Sequence, residues 1–151
     1  MTLSRPTNRA AVFTDLQQLT IKEVLFPELV WPVGGPWAGQ PCRSGIIGEV
    51  VCSAECGSNI HIYGGFSEEA PGKLIPGHEP LVRVVEVGED VRTLKVGDYA
   101  LFGFNNACGA CHMCKKGLTN LCAVMNPGRN GSAWGYAGMG PWPGAHQQYL
   151  M

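Results

Sequence analysis

The sequence predicts a mainly β, turn-rich barrel or sandwich that carries one metal-binding lobe. Three observations point there. Glycine and proline number 21 and 11 among 151 residues, and both residue types set turns rather than long helices. No stretch sustains a 3.6-residue apolar period beyond a turn or two, so no long amphipathic helix is expected. Four cysteines, Cys108, Cys111, Cys114 and Cys122, fall at the spacing C-x2-C-x2-C-x7-C, which suits thiolates closing on one ion.

Residues 10–14 form a short apolar run that reads as a strand, residues 15–18 as a turn, and residues 19–25 (L-T-I-K-E-V-L) as a second strand closing a hairpin. Residues 26–45, rich in Pro, Gly and Trp, read as a long loop. Its G-G-P-W-A-G stretch follows no buried strand and is not G-x-G-x-x-G. Cys42 in this loop reads as an incidental thiol. Ile46–Ser53 is a strand, with Cys52 expected as a small apolar core residue. It delivers the chain to Cys56-Gly-Ser-Asn-Ile-His61, followed by a loop containing Gly64, Gly65 and Pro71. Pro80–Val87 is a valine-rich strand, bounded by turns at Gly88-Glu89-Asp90 and Val96-Gly97-Asp98. Residues 99–104 make the next strand. The cysteine lobe spans 105–124, residues 126–144 are a loop, and a last strand covers about 147–151. The whole stretch 1–151 reads as one domain, without repeats or low-complexity tracts.

In the lobe, gaps of two residues let a turn bring neighbouring sulfurs to one point. The longer gap contains Gly117, where the chain can loop round to supply the fourth ligand. Four thiolates around a divalent cation leave a net charge of about −2, which Lys115 and Lys116 can offset in part. A closed four-thiolate site is a structural zinc site. Disulfides would suit a secreted chain, but the first ten residues are polar and lack an apolar signal core. An iron–sulfur cluster favours C-x2-C-x2-C-x3-C-P; here the last gap is seven residues and Ala123 follows.

Composition bounds the function classes. Hydrophobic residues make up 45% and charged ones 15%, the balance of a globular domain. A net charge of −1 and a pI near 6.4 give no electrostatic footprint for nucleic acid or for an anionic membrane surface. The most apolar run, residues 24–33, is interrupted by Pro27, Glu28 and Pro32, so it is not a membrane span. Seven cysteines without a signal sequence suit a reducing compartment, and the cytoplasm is the expected location.

A second constellation involves Cys56 and His78, both suitable zinc ligands placed where predicted strands end or begin. Catalytic zinc takes three protein ligands and keeps a fourth position open. Taken alone, a Cys and a His more than twenty residues apart more often have structural roles. Its neighbours add chemistry. Ser58 can accept the proton of a hydroxyl at such a metal, His61 can carry that proton to solvent, and Glu79 can orient the site or exchange at the metal. Each has a plainer reading: Ser58 and Asn59 as turn formers, His61 as a surface residue, Glu79 as a solvated charge.

The order of these motifs carries a resemblance. Cys56-Gly-Ser-Asn-Ile-His61, Gly77-His78-Glu79, Val84-Val-Glu-Val-Gly88, Val96-Gly97-Asp98 and the four-cysteine lobe together resemble the N-terminal, GroES-like half of the zinc-dependent medium-chain alcohol dehydrogenases. Phe104-Asn-Asn-Ala-Cys108, Asn126-Pro127 and Gly135-Tyr-Ala-Gly-Met-Gly140 look like the branch that contains glutathione-independent formaldehyde dehydrogenases. The resemblance implies a partly open barrel with a structural zinc lobe. It implies that Cys56 and His78 hold a catalytic zinc, which polarises an alcohol oxygen. Ser58 then accepts the proton, and hydride passes between a small alcohol or aldehyde and NAD(P). The resemblance implies assembly through a domain outside these residues, which leaves a homo-oligomer as an expectation for a full-length form only.

The sequence departs from the family at named places. No G-x-G-x-x-G follows a strand and no βαβ unit occurs, so no Rossmann domain is expected within this chain; the glycine-rich 135–140 stretch has the wrong order and context. The family's third catalytic zinc ligand has no counterpart in these residues. Asn59 stands where Asp is common, Val82 where Gly is usual, and Gln147-Gln148 where Ala-Glu precedes Tyr149. The loop at 26–45 is longer than the family's short link. Three readings follow: the catalytic domain of a zinc dehydrogenase, a non-catalytic zinc-stabilised module, or a zinc-free reductase, which the presence of Cys56, His78 and the lobe disfavours.

Overall fold

The structure, a computed structural model, describes residues 7–32, 37–66, 72, 74–126 and 128–151. Residues 34–36 of the glycine-rich loop, Pro71 and Pro127 lie outside the described residues. Strands β1 (Asn8–Asp15) and β2 (Gln18–Val24) form an antiparallel hairpin. Strands β3 (Ile46–Ser53), β4 (Pro80–Val87), β5 (Tyr99–Leu101) and β6 (Tyr149–Leu150) form an antiparallel sheet in the order β5-β4-β3-β6. The two parts join through the segment before β6. The Ala11 N–H donates to the His146 carbonyl at 2.8 Å, the Gln148 N–H donates to Arg9 at 3.0 Å, and Ala10 bridges Gln147. The hairpin therefore extends the sheet on its β6 side, giving the mainly β, partly open architecture that the sequence predicts.

The hairpin turn is tight. The Leu16 N–H donates to the Asp15 carboxylate at 2.7 Å, and Gln17 adopts φ 55°. The Gln17 N–H donates to the Tyr63 carbonyl at 2.9 Å, pinning the turn to the helix described below. In β1, Ala10, Val12 and Phe13 are buried, whereas Leu19 and Ile21 of β2 remain exposed. Valines drive β4 into the core, where Val82 and Val84 are buried. Val82 fills the space above Gly48 of β3, whose absent Cβ would lie 2.5 Å from a Val82 methyl. Close packing is thus kept, with the glycine on the opposite strand.

Some expectations change. Cys52 is exposed, because the second half of β3 turns that side chain to solvent. Cys42 is buried, and desolvation pushes its thiol up. The strand expected over 99–104 ends at Leu101, and the last strand is limited to Tyr149–Leu150. Residues 57–63, read as turn and loop, form a helix, α1 (Gly57–Tyr63). Its two buried positions, Asn59 and Ile62, make too short an apolar stripe to register as a period. The loop at 126–144 is packed rather than loose: Ser132, Ala133, Trp134 and Trp142 are buried, and a single 3₁₀ turn covers Ala137–Met139.

The main core joins sheet and lobe. Val82 and Leu150 from the sheet cluster with Cys114 and Cys122 from the lobe and with Met125, Trp134 and Trp142 from the loop that follows it. The indoles are satisfied: Trp142 donates to the Met125 carbonyl at 2.9 Å and Trp134 to the Gly103 carbonyl at 3.1 Å. No helix among the described residues is long and apolar enough to cross a membrane.

Candidate metal centres

Cys108, Cys111, Cys114 and Cys122 converge, with their sulfurs all within 4.8 Å of one another. The Cys111–Cys114 and Cys111–Cys122 separations are 3.5 and 4.0 Å. A tetrahedron with metal–sulfur bonds of about 2.3 Å has sulfur–sulfur edges of about 3.8 Å, so the cluster fits a structural zinc. All seven cysteines are free thiols, so no pair here is a disulfide.

Local folding explains the convergence. Cys111 caps helix α2 (His112–Lys115), which places Cys114 one turn further on. Gly117 then takes φ 78°, its N–H donating to Cys114 O at 2.9 Å and the Leu118 N–H to Met113 O at 3.0 Å. This pair of bonds is the Schellman arrangement, which needs a left-handed residue that glycine supplies without strain. The chain reverses, makes a 3₁₀ turn at Thr119–Leu121 and returns Cys122 to the cluster. The backbone supplies donors to sulfur: the Cys108 N–H to Cys122 Sγ at 3.4 Å and the Cys111 N–H to Cys108 Sγ at 3.3 Å. The amides of Cys114 and Ala123 bring the Cys111 thiol down to about 6. Burial and the neighbouring Cys111 sulfur push Cys114 up to about 12. At Cys122 burial raises the thiol, but backbone donors from Cys108, Val124 and Met125 outweigh it and the net shift is downward. The cluster is built to hold negative charge that four adjacent sulfurs cannot share alone, charge that a divalent cation would compensate.

The second centre forms where β3 ends and β4 begins. Ser53 and Pro80 are register partners, and the Ala54 N–H donates to the Glu79 carbonyl at 3.1 Å. Segments leaving β3 and entering β4 therefore emerge side by side, carrying Cys56 and His78 with them. The Cys56 sulfur, a ring nitrogen of His78 and a carboxylate oxygen of Glu79 lie within 4.8 Å of one another. The Ser58 hydroxyl sits 3.4 Å from His78 Nε2.

His78 is only 3% exposed. Its ring meets Phe104 edge-on at 5.0 Å and Tyr136 at 5.3 Å. Burial lowers its basicity; Glu79 and Glu55 push it up by less, and His146 adds to the fall. A neutral imidazole results, the form that ligates metal. His78 Nδ1 and both amide atoms of Asn59 are buried without a partner among the described residues. Glu79 is exposed and Cys56 half-buried. A soft cysteine sulfur, a neutral imidazole and a carboxylate around one point suit zinc. His61 lies on the exposed face of α1, one turn after Ser58, its ring edge-on to Phe66 at 6.1 Å.

Sequence reasoning missed the aromatic walls, Phe104 and Tyr136, and an ion pair between His146 Nε2 and the Glu55 carboxylate at 3.2 Å. No local signal joins Glu55 to His146, since only the meeting of β1, β3 and the segment before β6 brings them together.

The chain is similar to several known proteins. Among curated relatives, a glutathione-independent formaldehyde dehydrogenase of Bacillus subtilis is 38% identical over 148 residues, covering 95% of this chain and 36% of its own length. A formaldehyde dismutase of Pseudomonas putida is 31% identical, covering 95% of this chain and 35% of its own. Among solved structures, the alcohol dehydrogenase TADH of Thermus sp. ATN1 superposes with a TM-score of 0.75 at 30% identity, over 94% of this chain and 37% of that one. An acetophenone reductase of Geotrichum candidum, solved with NAD, gives 0.70 at 28%, over 95% of this chain and 37% of its own. The chain thus spans little more than a third of the relatives it matches. The family described as the alcohol dehydrogenase GroES-like domain matches residues 46–151, the stretch that holds β3 to β6 and both centres, and the chain belongs to that family.

Proposed function

We propose that residues 1–151 form the catalytic domain of a zinc-dependent oxidoreductase that passes hydride between a small alcohol or aldehyde and NAD(P). The observation that carries this reading is the convergence of Cys56, His78 and Glu79 within 4.8 Å, with the Ser58 hydroxyl 3.4 Å from His78. In this reading Cys56 and His78 hold the catalytic zinc, while Cys108, Cys111, Cys114 and Cys122 hold a structural one. The catalytic ion supplies Lewis-acid polarisation of a substrate oxygen when bound. Ser58 accepts the substrate's hydroxyl proton, and His61, exposed one turn along α1, releases it to water. Glu79 orients the metal pair or takes a place at the ion. Phe104 and Tyr136 exclude water from the buried His78 ring.

The substrate class rests on the names of the relatives, and the nicotinamide cofactor on the NAD held by the acetophenone reductase. Seven free cysteines support a reducing, cytoplasmic setting. The composition supports neither nucleic acid nor a membrane as partner, and a homo-oligomer fits the family.

Metal analysis of the purified chain tests the reading. Two zinc per chain are expected, falling to one in His78→Ala with the fold retained. One zinc in the wild type points instead to a module held by the cysteine lobe alone. Wild-type zinc content in His78→Ala removes His78 from the ligand set.

A further inference from the structure

We propose that Asn130 is a site of spontaneous deamidation, held off while the four-cysteine lobe carries its metal and released when the lobe is empty. Asn130-Gly131 is the one Asn-Gly step in the chain, and its plainer role is to turn the backbone. The same step carries chemistry, because glycine puts no Cβ beside its own nitrogen. The Gly131 nitrogen attacks the side-chain carbonyl carbon of Asn130. A new C–N bond forms, the bond to Nδ2 breaks, and the Gly131 amide proton leaves with that nitrogen as ammonia. Water then opens the cyclic imide at either carbonyl, leaving an aspartyl or an isoaspartyl residue. Water is the only co-reactant.

The structure exposes one partner of this reaction and clamps the other. Asn130 is exposed, whereas Gly131 and Ser132 are buried. The Gly131 N–H donates to the Cys122 carbonyl at 3.0 Å, so the attacking nitrogen is engaged and its proton is held. The Ser132 carbonyl accepts from the Asn106 N–H and from Asn105 Nδ2, both at 3.1 Å, and Ala133 bridges Asn105. Residues 131–133 are therefore gripped between the segment entering the lobe and the arm that returns Cys122 to it. Cys122 belongs to the sulfur cluster, so the grip depends on the closure of the lobe. The inference rests on the reading of that cluster as a zinc site. Binding energy at such a site is folding energy; without it the return arm opens locally, and the reaction follows the population of the open state. The products fit poorly into the closed lobe. Each carries a new carboxylate, and the isoaspartyl one lengthens the backbone next to Gly131, where an added Cβ would stand 2.8 Å from the Asn120 carbonyl oxygen. Loss of zinc is thereby recorded in covalent form.

The test incubates the chain in heavy-oxygen water at mildly alkaline pH in three states: zinc-loaded, stripped by a chelator, and stripped then reloaded. Peptide mass spectrometry locates the modified residue, and zinc content is measured on the same samples. The stripped chain is expected to take up heavy oxygen at Asn130 about tenfold faster or more than the loaded one, because a protected site reacts only through its opening. Reloading is expected to restore the slow rate. Zinc-loaded His78→Ala, with its four lobe cysteines intact, is expected to stay slow. Asn105→Ala removes one of the two donors to the Ser132 carbonyl and touches no ligand. It is expected to react faster than wild type with its zinc still bound, which global unfolding of a stripped chain would not produce. Equal rates in loaded and stripped samples of verified zinc content overturn the gate alone. A lobe that holds no zinc overturns the reading of the lobe together with the gate. Modification of other asparagines in place of Asn130, or an Asn105→Ala rate equal to wild type at full zinc content, also overturns the proposal.

Discussion

Asn8 closes the sheet with an amide rather than with apolar bulk. It is 1% exposed. Its Nδ2 lies within bonding distance of Leu25 O, Gln147 Oε1 and Tyr149 O, and its Oδ1 accepts from the Tyr149 N–H at 3.1 Å. One side chain thus ties β1 to the segment entering β6, and Asn8→Leu keeps the volume while orphaning those partners. Loss of about 2–4 kcal/mol is expected in denaturant unfolding, on the cost of buried groups left unpaired; a change below about 0.5 kcal/mol would show that water replaces the amide at no cost. At the second centre the comparable residue is Gly77, with φ 99° and no room for a Cβ against His146. Gly77→Ala combines a left-handed penalty of about 1–2 kcal/mol with a displaced imidazole next to His78. Zinc content is expected to fall from two toward one per chain, and unchanged content at a wild-type unfolding midpoint would contradict that role for Gly77.

At the scale of elements, the lobe depends on a reversal after α2. A Cβ on Gly117 meets nothing within 4 Å, so Gly117→Ala costs only backbone strain, about 1 kcal/mol, and Gly117→Asn less. The unfolding midpoint measures the difference, and equal losses would mean that the reversal relaxes out of the left-handed region. What the sequence reveals differs between elements for physical reasons. The limits of β3 and β4 are readable to the residue, because valine-rich runs flanked by turn formers leave few alternatives. The cysteine lobe is readable because metal geometry constrains spacing within one short excursion. Helix α1 is not, since its seven residues bury only two side chains. Nor is the exposure of Cys52, because the register shift between Val50 and Cys52 breaks the alternation of β3. Cys56 and His78 are legible as a suspicion, and the Ser53–Pro80 pairing supplies the reason they meet.

Across the whole molecule, the lobe is a structural part of the barrel. Cys114 and Cys122 pack in one cluster with Val82, Leu150 and two buried tryptophans, so a loosened lobe opens the main core. Cys111→Ser is therefore expected to lose the lobe's zinc and to lower thermal stability, since binding energy at a structural site is folding energy. The His78 centre is built on the β3–β4 junction, and its zinc is expected to remain in that variant. An apo protein as heat-stable as the zinc form would contradict the coupling. The same division of labour underlies the proposed chemistry: one centre fixes the core, and the other would present a cysteine sulfur, a neutral imidazole and a hydroxyl to a substrate.

Anomalous diffraction at the zinc edge from crystals of the chain tests this account most directly. It predicts two peaks: one about 2.3 Å from each of the four lobe sulfurs, and one bounded by Cys56 Sγ and the His78 ring. A single peak in the lobe, with Cys56 and His78 apart, would contradict the account.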